Sequence, residues 1–148
     1  MNIRTFTLSI GIIYFIVGIL GFLPALMTAP PQDAPVMSTP YGLLFGMFPV
    51  NTLHNIVHLG IGVWGMLAYR DIDDARTYTR SIAVLYGALA VFGLIPGLST
   101  LFGLVPLFSH DVWLHLLTSL AAAYFGFVSP AALEMRHPGQ PDKSGRIS

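Results

Sequence analysis

Cysteine is absent from this 148-residue chain, which removes disulfides, thiolate metal sites and cysteine nucleophiles together. Charge is scarce as well. Asp, Glu, Lys and Arg make up 9% of the residues, against about 25% in an average soluble domain. The seven basic and seven acidic residues cancel, so no net field points to nucleic acid or to an acidic substrate. What fills the gap is apolar. Hydrophobic residues make up 54% of the chain, a composition suited to a lipid bilayer. Any metal or cofactor must then be held by His, Asp, Glu, Asn or backbone groups.

The uncharged run from Leu8 to Pro24, preceded by Arg4, is longer than the roughly 7–15 residues of a signal-peptide core. Ala29 is followed by Pro30 and Pro31, a poor cleavage context. At about 1.5 Å per residue, Thr5 to Leu26 is long enough for a hydrocarbon core of roughly 30 Å, so it reads as a first membrane helix. Thr28 to Pro40 is rich in proline and reads as an exposed loop. Tyr41 to Phe48 is apolar but too short to span, which predicts a segment at the interface or folded back on the bundle. Asn51 or Thr52 caps a second helix running to about Tyr69. Arg70 to Arg80 carries six charges in eleven residues and reads as a wet turn or short linker. Ser81 to about Leu94 forms a third helix ended by Pro96-Gly97. Leu98 to Phe108 repeats the apolar interfacial pattern, and a fourth helix runs from near Ser109 to about Val128. Ser129-Pro130 opens a short amphipathic segment through Met135. Residues 136–148 are polar and read as a disordered cytoplasmic tail.

All seven basic residues, Arg4, Arg70, Arg76, Arg80, Arg136, Lys143 and Arg146, fall on one side of a four-span arrangement. Short cytoplasmic loops carry the excess of Lys and Arg. Both termini and the middle loop are therefore expected in the cytoplasm, with the first and third loops outside.

The chain also repeats itself. Ser9-Ile-Gly-Ile-Ile-Tyr14 matches Ser81-Ile-Ala-Val-Leu-Tyr86 at an offset of 72, and the register holds through Gly21-Phe-Leu-Pro24 and Gly93-Leu-Ile-Pro96. Leu44-Phe-Gly-Met-Phe-Pro49 matches Leu101-Phe-Gly-Leu-Val-Pro106 at an offset of 57. The expected fold is all-α: a four-helix transmembrane bundle in one domain, 1–135, built from two parallel-repeat hairpins, 5–69 and 80–128. Equivalent residues then sit at equal depth.

That register pairs His54 with Asp111 and His58 with His115. Residues four apart share a helical face, so a His-x-x-x-His face meets an Asp-x-x-x-His face if helices two and four look at each other. His110 points about 100° away from Asp111 and ranks lower. Intramembrane ionisable groups are costly and suggest a site with a named partner. The plainest account has His54 and Asp111 hydrogen-bonded to each other, with His58 and His115 tied to backbone or hydroxyls, locking the hairpins together. A metal ion of the zinc type held by His54, His58, Asp111 and His115 is the next. Haem or chlorophyll ligated by His58 and His115 is a third, and absence of any cofactor stands level with these.

Pro-Val-Asn-x-x-His-Asn-x-x-His-Leu-x-x-Gly, at Pro49 to Gly62, resembles the signature of an uncharacterised bacterial family of small four-helix integral membrane proteins, known only as a domain of unknown function. Asp111 to Leu116 is similar to that family's later motif. The resemblance covers about Leu8 to Phe127. It implies the same four-helix fold and a multi-pass place in the bacterial inner membrane, and supplies no activity.

Two other motifs fail on context. Gly60-Ile-Gly62-Val-Trp-Gly65 matches G-x-G-x-x-G but lies within a helix, not in a strand-to-helix turn. Its glycines suit close helix approach, as do Gly11, Gly18 and Gly21 with their counterparts Ala83, Ala90 and Gly93. His54-Asn-Ile-Val-His58 has the spacing of a zinc protease motif, but Asn55 replaces the required Glu. Trp113 suits an aromatic belt. Tyr14 and Tyr86 read as hydrogen bonders between helices. No catalytic residue emerges. The function expected first is a non-catalytic accessory or scaffold subunit of a larger membrane complex, with lipid and other membrane subunits or further copies of itself as partners and no nucleic acid. The alternative is a metal- or tetrapyrrole-binding membrane protein.

Overall fold

The structure is a computed structural model, and residues 1–129 are described. Helix α1 spans Ile3–Leu20, α2 Thr52–Ala68, α3 Ile72–Leu94 and α4 His110–Ala123, the last continued by a π-helical turn at Tyr124–Val128. Between α1 and α2 lie three short strands, β1 (Met27–Thr28), β2 (Gly42–Leu44) and β3 (Phe48–Val50). The segment expected beyond Ser129 and the tail from Arg136 lie outside the described residues. Among the described residues, Ile3–Leu20, Ile72–Leu94 and His110–Val128 are long and apolar enough to cross a membrane. Helix α2, with 17 residues, would rise about 25 Å.

Three expectations change. The all-α fold becomes a mostly helical one with a small antiparallel sheet of order β1-β2-β3. Tyr41 to Phe48, expected at the interface or folded back on the bundle, supplies β2 and the turn into β3, which is compatible with either place. Leu43 faces Pro49 across the β2–β3 pair, and Pro49 is tolerated there because β3 is an edge strand.

The charged stretch from Arg70 to Arg80, expected as a linker, is helical from Ile72 onward. Asp71 caps it, its carboxylate accepting from Asp73 N at 2.8 Å and Asp74 N at 3.2 Å. Asp73 and Asp74 sit at the positive end of the helix dipole, and Asp73 pairs with Arg76 at 2.9 Å. Charge did not oppose the helix, because a good cap and a complementary pair favoured it.

Helix α1 ends at Leu20 rather than Leu26. Phe22 N donates to the Ile19 carbonyl at 3.0 Å, which tightens the last turn, and Pro24 opens a separate 3₁₀ turn. Gly21, at the exit, lies against the side chain of Asn55, where a Cβ has no room.

Helix α1 packs along α2 and α3 along α4, with thinner contacts from α1 and α2 to α3. A Cβ on Gly11 would stand 2.8 Å from Met66 N, and one on Gly62 would stand 2.5 Å from Phe15 N. Backbones approach here as closely as small residues allow. Gly60, within the same glycine-rich run, has nothing within 4 Å of its Cβ position among the described residues. In the second hairpin alanine fills the role, with Ser119 Oγ donating to the Ala83 carbonyl at 2.7 Å. The core gathers Phe6, Tyr14, Ile61, Tyr78, Ile82 and Tyr86. Arg4 Nε donates to the Tyr69 carbonyl and Arg80 Nε to the Gly126 carbonyl, each at 2.8 Å, so both hairpins have a helix C-terminus capped by an arginine at the end opposite the sheet.

Candidate functional site: a buried histidine and aspartate cluster

Asn51 sets the position of the first two histidines. Its Oδ1 accepts from His54 N at 2.9 Å, starting α2 one turn above the ring of His54. Its Nδ2 donates to the Leu104 carbonyl at 2.7 Å and to Thr39 Oγ1 at 2.9 Å. One side chain thus caps a helix and ties the first loop to the third. Sequence reading gave Asn51 only the cap; its second bond joins groups 53 residues apart, and no local pattern announces it.

The α-helical spacing then stacks His54 and His58, whose ring centroids lie 4.4 Å apart. From α4, the His115 ring stands 6.1 Å from that of His54. Asp111 Oδ2 comes to 3.8 Å from His54 Nδ1. All four side chains are buried. One ring nitrogen from each of His54, His58 and His115 lies within 4.8 Å of the others. The four residues singled out by spacing and repeat register therefore come together. His110 does not join them: it is exposed, with Nδ1 3.2 Å from Ser109 Oγ and its ring beside Phe48.

The plainest sequence reading of the cluster, a closed set of hydrogen bonds, is not what the geometry gives. His54 Nδ1, His58 Nδ1, His115 Nδ1 and Asp111 Oδ2 are all buried without a hydrogen-bond partner among the described residues. The His54 to Asp111 separation is too long for a direct hydrogen bond. Buried polar atoms left without partners cost roughly 1–3 kcal/mol each, and four at one level ask for something to complete them.

Aromatic rings wall the cluster below. Tyr14 sets its ring edge-on to His58 at 5.0 Å, Tyr86 does so to His115 at 5.1 Å, and the two tyrosines lie 5.0 Å apart. The Tyr14 and Thr118 hydroxyls share a 2.8 Å hydrogen bond, linking α1 to α4. Thr118 was not singled out in the sequence; its position one turn beyond His115 was the available signal. Trp113 is exposed on the other face of α4.

No curated protein and no solved structure matches the chain. A family model does, from residue 4 to residue 128, and on that match the chain belongs to the family described as Domain of unknown function (DUF4383).

Proposed function

We propose that this chain is a four-span membrane protein in which two parallel, duplicated hairpins converge on one divalent transition-metal ion of the zinc class, held by His54, His58, His115 and Asp111. The observation that carries the reading is the convergence of three buried imidazoles, with the Asp111 carboxylate 3.8 Å from His54 and no hydrogen-bond partner among the described residues for Nδ1 of each ring or for Asp111 Oδ2. Three nitrogens and one oxygen suit zinc in a closed, four-coordinate site. Ligand atoms about 2.1 Å from a tetrahedral ion stand about 3.4 Å from one another, and one nitrogen from each of the three imidazoles lies within 4.8 Å of the others.

Contacts between repeat-related residues support the duplication. Thr7 bonds Thr79 and Tyr14 abuts Tyr86, both at the offset of 72; His54 meets Asp111 at the offset of 57. The described basic residues lie at the end away from the sheet, which favours a cytoplasmic location for that end. The cluster then lies in the outer half of the membrane. A closed site of this kind supplies cohesion, consistent with an accessory or scaffold role, and offers no open position for substrate. A tetrapyrrole fits less well, since Tyr14 and Tyr86 occupy the flanks of His58 and His115 where a macrocycle would lie.

The test is metal analysis of the full chain purified in detergent, stripped with chelator and reloaded with zinc. One ion per chain and a rise in Tm are expected, with matched losses in His58→Ala and His115→Ala. No bound ion and no shift in Tm would overturn the ion site, and an intense visible band from a bound pigment would transfer the histidines to a tetrapyrrole.

A further inference from the structure

The two Leu-Phe-Gly segments, at the sheet end of the bundle, make turns with the same two central residues, although Leu101, before the second, is left-handed too (φ 44°) where Leu44 is extended. In the first, Met47 N donates to the Leu44 carbonyl at 3.1 Å around Phe45 and Gly46, with φ of 55° and 71°. In the second, Leu104 N donates to the Leu101 carbonyl at 3.2 Å around Phe102 and Gly103, with φ of 59° and 84°. Two successive left-handed residues closed by such a bond form a type I′ turn, whose first central position favours Asn, Asp or Gly. A bulky aromatic there is strained. The chain puts phenylalanine in that position twice.

Neither ring enters the core. Phe45 is 51% exposed and Phe102 76% exposed, while the preceding Leu44 is buried. Their surroundings are apolar too. Between Phe22 and Asn51 the one charged residue is Asp33, and between Ile95 and Ser109 there is none. Exposed Phe22, Met47, Leu53, Leu104 and Trp113 surround the same end of the bundle, continuous with helix faces that suit lipid. A surface bathed in water would carry charge; a surface at the membrane interface carries aromatic rings.

We propose that Phe45 and Phe102 are a matched pair of membrane anchors, seated at the boundary between headgroups and acyl chains in the leaflet at the sheet end. Each costs the backbone a strained turn, and burial of the ring in lipid offsets it. The proposal stands on the turns and their exposure, independently of any bound ion.

The lack of cysteine makes the test direct. Phe45→Cys, Phe102→Cys and Val36→Cys each give one nitroxide attachment site; Val36, 93% exposed in the first loop, is the aqueous reference. In vesicles of phosphatidylcholine and phosphatidylglycerol, labels at 45 and 102 are expected to collide with oxygen more than with a water-soluble nickel chelate, and the label at 36 to show the reverse. Chelate access at 45 and 102 equal to that at 36 would overturn the proposal. Low access to both reagents would also overturn it, in favour of contact with another copy or another subunit. Phe45→Asn with Phe102→Asn guards against a merely structural role. The turn favours Asn, so Tm in detergent should hold or rise, and a fall would assign the rings to the fold.

Discussion

Thr7 and Thr79 share a hydrogen bond of 3.0 Å between buried hydroxyls on α1 and α3, and Thr7 Oγ1 also reaches the Ala75 carbonyl at 3.3 Å. Contacts between these two helices are few, so this polar pair carries much of the register between them. Buried hydroxyl pairs in membrane bundles contribute about 0.6 kcal/mol on average and up to about 1.7 kcal/mol. Thr7→Val and Thr79→Val should each lower stability in detergent by about 0.5–1.5 kcal/mol. The double variant should cost less than the sum, since the second change removes a group already left without its partner. Thermal unfolding of the four proteins measures the coupling, and strict additivity would show that the bond adds nothing.

Gly60 and Gly62 are two residues apart on α2 and should behave oppositely. Alanine at Gly62 would drive a methyl into the Phe15 backbone, while alanine at Gly60 meets nothing within 4 Å among the described residues. Overpacking of this kind costs about 1–3 kcal/mol. Gly60→Ala should be neutral or slightly stabilising, because it removes backbone freedom from the unfolded helix. Comparison of Tm in one detergent separates them.

Asn51 offers a separation of cap from brace. Asn51→Ser keeps an acceptor for His54 N and loses the Nδ2 bonds to Leu104 and Thr39, whereas Asn51→Ala loses both. A cap is worth about 1 kcal/mol, and a buried bond a similar amount. The expected order of stability is Asn, then Ser, then Ala, with roughly 1 kcal/mol at each step. Proteolysis of the loop between Thr28 and Pro40 should speed up modestly in both variants, because both lose the Asn51 bridge to the third loop while the bond from Ser38 N to the Gly103 carbonyl remains.

The Asp71 carboxylate is held below its ordinary value of 3.8 by the N–H groups of Asp74 and Asp73. A depressed pKa in the folded state stabilises above the unfolded value and is lost as pH falls through the folded one. Asp71→Asn keeps a capping side chain but has no proton to gain. Between pH 7 and pH 3 the wild-type protein should therefore lose more Tm than Asp71→Asn. Parallel curves would remove Asp71 from the acid response.

Sequence alone determined the membrane character, the four helical segments and the histidine and aspartate set. Each of these depends on composition, on the helical period or on a repeat register, and all three are readable along the chain. His54 to His58 and Asp111 to His115 are four-residue spacings that a helix converts directly into shared faces. The helical start at Ile72 was hidden by charge, and the cap at Asp71 was the signal that outweighed it. The sheet was hidden because Gly42 to Val50 reads equally as an apolar interfacial segment until β1 supplies a partner. Only tertiary structure decided that the cluster atoms lack hydrogen-bond partners, that Asn51 joins two loops, and that Gly62 is essential to packing where Gly60 is not. Those outcomes depend on which atoms of distant segments occupy the same few ångströms, and spacing within one segment cannot encode them.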